Sequence, residues 1–204
     1  MNIFFISEDP VIAAKAQTDK HVVKMILESA QLLSTAHRAL DGQEYIQLSK
    51  SGARLRKWNH PDTHMDATLY KSTHLNHPSG IWVRQSKQNY IWLFQHFIAL
   101  SQEYYERYGR RHASELLLAG LLKNPPKNIP NIPRTAMLVA ITDTQWHVPN
   151  NPLQSYRNYY VGEKLNTPKD TERYYKVLGL KEAANEIRID NLSKHGDGLL
   201  LEHL

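Results

Sequence analysis

The chain has no cysteine, so disulfides, thiolate nucleophiles and Cys-type zinc sites are all excluded. No stretch approaches the roughly 18–20 consecutive apolar residues of a membrane span. The start, Met1-Asn2-Ile3-Phe4-Phe5-Ile6, lacks the basic lead and long apolar region of a signal peptide, so a cytoplasmic, non-membrane protein is expected. With 9 glycines in 204 residues there is no glycine-rich phosphate loop. Convincing strand alternation is missing as well, and the expected fold class is all-α. That fold is one compact helical domain over residues 1–165, with a proline-rich connector, followed by a helical extension over 166–204.

What is present is positive charge and aromatic surface. The net charge is +5, with 11 histidines, 11 tyrosines and 4 tryptophans. A basic chain suits a polyanion, because each neutralised phosphate releases counterions, and rings interleaved with Arg and Lys can stack on bases.

The run from Asp19 to Arg38 sorts at helical spacing into two stripes. Val22, Val23, Ile26, Ala30 and Leu33 make the apolar one. His21, Lys24, Glu28, Gln31 and Thr35 make the other, with an imidazole, an ammonium, a carboxylate and an amide in one row. Such a row lines a cleft or lies on an ordinary solvated face, where Lys24 and Glu28 are a common i,i+4 pair worth about 0.2–0.5 kcal/mol.

Asp9-Pro10 starts a helical stretch that runs to about Leu40, breaks near Thr18 and stops at Asp41-Gly42. Residues 42–78 are polar and histidine-rich, and their two Asn-His-Pro repeats belong in loops. Ser79 is read as the cap of a long helix ending at Gly109. A helix over 113–122, an extended connector from Asn124 to Pro133, and helices opening at Pro152 and Pro168 complete the pattern. The tail from Lys181 reads as partly helical, with a Lys181–Arg188 helix.

Two clusters carry possible chemistry. Tyr156-Arg157-Asn158-Tyr159-Tyr160-Val161-Gly162-Glu163-Lys164 puts three tyrosines among cations, suited to a DNA backbone or a displaced base. Equally, Tyr156 or Tyr160 would serve as a core anchor with a wet hydroxyl. The second cluster, His74 to Arg84, sets His74 and His77 before a helix N-terminus, a place that attracts phosphate. With His60 and His64 these histidines offer metal-type spacing, but Pro61 interrupts the pair and no glutamate accompanies it. No metal and no cofactor are assigned.

The spacing from Asp19-x-His21 to Glu28 resembles the helix of the pyrimidine-dimer DNA glycosylases, the phage endonuclease V family, in which an Asp-x-His segment leads to the catalytic glutamate. The His77-Pro78 helix start and the helix ending Tyr104-Tyr105-Glu106-Arg107-Tyr108-Gly109 are similar to the middle of that family. Tyr159-Tyr160-Val161-Gly162-Glu163-Lys164 resembles its aromatic, basic C-terminal motif. The three blocks keep their order over residues 1–165. The chain also resembles a group of phage-encoded proteins that share Asp-Lys-His-Val-Val-Lys-Met-Ile-Leu-Glu.

The resemblance implies base excision on double-stranded DNA by an N-terminal amine, with AP-lyase activity. α-Amines as a class titrate at about 7.7–8.0, so part is free base near neutrality. Met1 would supply the amine and Glu28 the carboxylate that stabilises charge on the sugar and moves protons. Lys24 would place a cation beside Glu28 or on a phosphate. His21, His77 and Arg84 would touch the backbone, and Tyr156, Arg157, Tyr159, Tyr160 and Lys164 would clamp the DNA. The alternatives are a transferase acting on a phosphate-bearing nucleotide or modified base in DNA hypermodification, and a non-catalytic DNA-binding protein. Oligomeric state is not legible.

Overall fold

Asp9 caps the first helix, accepting hydrogen bonds from the N–H groups of Val11 and Ile12, and Pro10 occupies its first turn. This helix, α1 (Pro10–Lys15), ends at Ala16, and Thr18 caps α2 (Asp19–Asp41), so the break falls where expected. The computed structural model describes residues 1–180. The Lys181–Arg188 helix expected from sequence lies outside the described residues.

The all-α expectation is corrected by residues 43–59. They form an antiparallel hairpin, β1 (Gln43–Leu48) with β2 (Arg54–Asn59), in the register Gln43↔Asn59 to Leu48↔Arg54. The fold is therefore mixed, though mostly helical. All six residues of β1 are exposed, so the strand never develops the half-buried alternation that betrays one in sequence. A short helix α3 (Thr63–Thr68) follows.

The long helix expected from Ser79 is two helices. His77, not Ser79, caps α4 (Pro78–Gln85), and Ser86 in extended conformation separates it from α5 (Lys87–Tyr108). Buried Ser86 donates its hydroxyl to the Ile132 carbonyl and accepts from the Gln88 N–H, so the connector sets the break. Gly109 ends α5 with a φ of 67°, the left-handed cap expected of it. Next come α6 (Ala113–Leu122), the irregular connector, a 3-10 turn at Thr144–Trp146, α7 (Pro152–Glu163) and α8 (Pro168–Leu178).

The core is built where α2, α4 and α5 meet, from residues such as Met25, Ile26, Leu33, Trp82, Tyr90, Leu93 and Phe97. Val23 was expected on the apolar stripe but is exposed, and Met25, Ser29 and Leu32 are buried instead. The N-terminal segment runs through this core: Ile3, Phe4, Phe5 and Ile6 are all buried, each worth about 1.5–3 kcal/mol. It forms no strand, so side chains must satisfy its backbone. Asn2 Oδ1 accepts from the N–H groups of Ile3 and Phe4, Gln17 donates to the Ile3 carbonyl, and Arg157 Nε donates to the Ile6 carbonyl. Residues of α8, assigned by sequence to the C-terminal extension, join the same core through Tyr174 and Tyr175.

Candidate functional site

The buried N-terminal segment brings the Met1 α-amine against the middle of α2. The amine nitrogen lies 4.0 Å from Glu28 Oε2, and the same oxygen accepts the Asn2 N–H at 2.9 Å. Lys24 Nζ stands 3.3 Å from Glu28 Oε1. Glu28 is only 8% exposed, whereas the Lys24 side chain is largely in water. Its fellow stripe residues divide: Thr35 is buried, exchanging hydrogen bonds with the backbone of Thr73, and Gln31 is half-buried. The stripe is thus partly covered rather than a fully solvated face.

His77 caps α4 with Nδ1 toward the Ser79 N–H and lies near the N-terminal ammonium and Glu28. Burial, the nearby N-terminal ammonium and His74 lower its pKa, and Glu28 opposes them. Arg84 of α4 donates Nη2 to the Leu75 carbonyl at 2.6 Å, while its Nη1 is buried without a hydrogen-bond partner. Burial also lowers its pKa. His74 is held at a φ of 49°, an unusual conformation for a non-glycine residue.

His21 is not placed as a phosphate ligand. Its ring stacks on Phe4 at 4.3 Å, and its Nδ1 lies 2.9 Å from the Tyr160 hydroxyl. Burial, with Lys164, Lys24 and Lys20 adding repulsion, takes its pKa down to about 4, so it is neutral at pH 7. The Tyr160 hydroxyl accepts the Thr18 N–H, which leaves its proton for His21 Nδ1. Tyr160 is fully buried and stacks on Tyr174 at 5.5 Å. Tyr156 is also fully buried, accepting from the Ala140 N–H and donating to the Leu138 carbonyl. The anchoring alternative therefore describes both tyrosines, and neither offers a face to a base.

Tyr159, Lys164 and Arg157 are placed differently. Tyr159 is half-buried beside Phe4, with Lys164 Nζ 4.5 Å over its ring. Arg157 is half-buried and spends Nε on Ile6. These three remain accessible on the α7 side, and Met1, Lys24, Glu28 and His77 form one charged cluster.

Sequence reasoning missed Asn2, whose side chain folds the start of the chain by accepting from Ile3 and Phe4 and donating to the Ala140 carbonyl. Nothing in its spacing signals this. It also missed a group that could hold a metal: His37, Asp41 and His60, with one ligand atom of each within 4.8 Å of the others. The i,i+4 spacing of His37 and Asp41 was a legible hint; the arrival of His60 was not. Comparison with protein-family models, curated proteins and solved structures finds no match for the chain.

Proposed function

We propose that the protein is a DNA-acting base-excision enzyme, a glycosylase with AP-lyase chemistry, acting from a cytoplasmic place on double-stranded DNA. The observation that carries this reading is the Met1 amine 4.0 Å from a nearly buried Glu28, with Lys24 on the other carboxylate oxygen. The amine nitrogen bonds to the sugar C1′ as the glycosidic bond breaks, and the base leaves with the electron pair and gains a proton. Breaking of C1′–O4′, with a proton going to O4′, then opens the sugar to the iminium, which loses a C2′ proton to Glu28 as the 3′ phosphate departs with the C3′–O electron pair. Lys24 keeps a cation at the carboxylate. His77 suits a phosphate, and Tyr159, Lys164 and Arg157 suit the flanking strand.

The contacts of Glu28 also anchor the N-terminal segment, so the test must separate chemistry from folding. Duplex DNA with one abasic site is incubated with protein and borohydride, and the adduct is digested to locate the modified amine. The expected result is a covalent adduct at the Met1 amine. Glu28→Gln keeps the Asn2 N–H acceptor and is expected to cut strand cleavage by about 10²–10⁴-fold with the melting profile little changed. Tight DNA binding without an adduct overturns the lyase reading. No helix among the described residues is long and apolar enough to cross a membrane.

A further inference from the structure

At the C-terminal end of α2, three potential ligands converge from two elements. His37 and Asp41 lie one turn apart on the helix, and His60 follows the last residue of β2. Gly42 allows this approach: a Cβ there would lie 2.3 Å from the Arg38 carbonyl oxygen and 2.9 Å from that of Asn59. Arg38, fully buried, ties the same region down by donating to the carbonyls of Trp58, Asp66, Leu69 and Tyr70 and to Asp66 Oδ1.

His37 and His60 are 3% and 9% exposed, yet His37 Nδ1 and His60 Nε2 have no hydrogen-bond partner. Buried polar atoms are rarely left so, and two at one place indicate a ligand. The surroundings prepare His37 for one. The Tyr90 hydroxyl gives its proton to the Leu122 carbonyl and lies 2.9 Å from His37 Nε2. With that proton on Leu122 the hydroxyl accepts from Nε2–H and the Nδ1 lone pair is free, whereas a hydroxyl turned to Nε2 would place the ring proton on Nδ1. An outer partner that fixes the tautomer in this way is what a metal-binding histidine has. Asp41 accepts the N–H groups of Lys127 and Asn128, which hold its carboxylate in place.

We propose that His37, Asp41 and His60 bind one divalent transition metal of the zinc class, through a ring nitrogen of each histidine and one carboxylate oxygen. Two imidazoles and a carboxylate suit zinc, leaving the fourth position to water. Asp62 donates its N–H to His60 Nδ1 at 3.2 Å, so the metal-free ring carries its proton on Nε2. Loading moves that proton to Nδ1 and releases the Asp62 N–H, which water can take because Asp62 is exposed. The ion clips the hairpin, the end of α2 and the connector together. This site is separate from the Glu28 cluster and stands whether or not the protein acts on DNA. It also differs from the sequence-level grouping, since exposed His64 and the His74–His77 pair take no part.

The test uses the full chain, stripped with chelator and titrated with Zn²⁺ alone by calorimetry, with Co²⁺ absorption as a second readout. One ion per chain, a raised melting temperature and a tetrahedral Co²⁺ spectrum are expected. His60→Asn and Asp41→Asn should each weaken uptake by at least about 10–100-fold, the loss typical of an outer-shell partner, while His64→Asn changes nothing. Nitrogen-detected NMR of the parent's histidine rings guards against misfolded variants: zinc must shift His37 and His60. No saturable uptake, unchanged binding in both variants, or shifts confined to other histidines overturns the proposal.

Discussion

The two halves of α2 handle buried polar groups in opposite ways. In the first half, Glu28 is surrounded by donors: the Met1 amine and Asn2 N–H at one oxygen and Lys24 at the other. In the second half, Arg38 is equally well served, yet beside it His37 and His60 each keep a buried ring nitrogen unpaired. A satisfied carboxylate beside an amine is a preorganised pair that needs no further ligand to be stable. Unpaired ring nitrogens facing a carboxylate are stable only at a cost, and a cation removes that cost. One helix thus carries an arrangement suited to acting on a substrate and another suited to holding an ion.

The strongest way to break the second half is Arg38→Met. It strips four carbonyls of their donor and leaves the Asp66 carboxylate only the His60 N–H, and a loss of about 3 kcal/mol or more is expected in urea unfolding, with the hairpin freed. If Arg38→Met melts like the parent, the hairpin is held by something other than this network.

Acid should act next, through histidines in both halves of α2 and on α5. Half-buried His21 and buried His37 and His96 are neutral, each with its pKa taken down to about 4 chiefly by burial. The unfolded chain, with ordinary histidine values near 6.5, binds the extra protons. Stability therefore rises with pH between about 4 and 6.5 and is lost on acidification through that window, by on the order of 3 kcal/mol per ring at the lower end. Urea midpoints at several pH values check the sign; a flat profile would show these rings charged in the fold. Asp19 adds to the same trend lower down. Burial works to raise its pKa, but Lys169, Arg173 and Arg107 outweigh burial and hold it below the usual carboxylate range.

Tyr160→Phe is a smaller probe. It leaves the Thr18 N–H and His21 Nδ1 without their partner, and about 1–3 kcal/mol of destabilisation is expected from thermal melts. The smallest effect belongs to Lys24→Met. The exposed lysine contributes about 0.2–0.5 kcal/mol to the helix, so the melt should barely move. Under the base-excision proposal, strand cleavage by the same variant should fall measurably. A variant that cleaves abasic DNA as well as the parent would reduce Lys24 to a surface residue.

The helices were legible because caps and periodicity are local: Asp9, Thr18, Gly109, Asn151 and Thr167 mark ends the structure keeps. The hairpin was not, since neither face of β1 is buried and only the Ser51-Gly52 turn, with Gly52 at a φ of 83°, hinted at it. The break at Ser86 was hidden because its cause, the Ile132 carbonyl, lies 46 residues away.

The sequence by itself determined the helical framework, the shared face of Lys24 and Glu28, and the positive charge, because helical spacing and composition are properties of neighbours along a chain. Tertiary structure alone decided that Met1 folds back onto Glu28, that Tyr156 and Tyr160 are buried, and that His60 arrives beside His37 and Asp41. Each of these depends on how deeply an element is covered and what meets it there, and burial is set by the whole core rather than by any local run of residues.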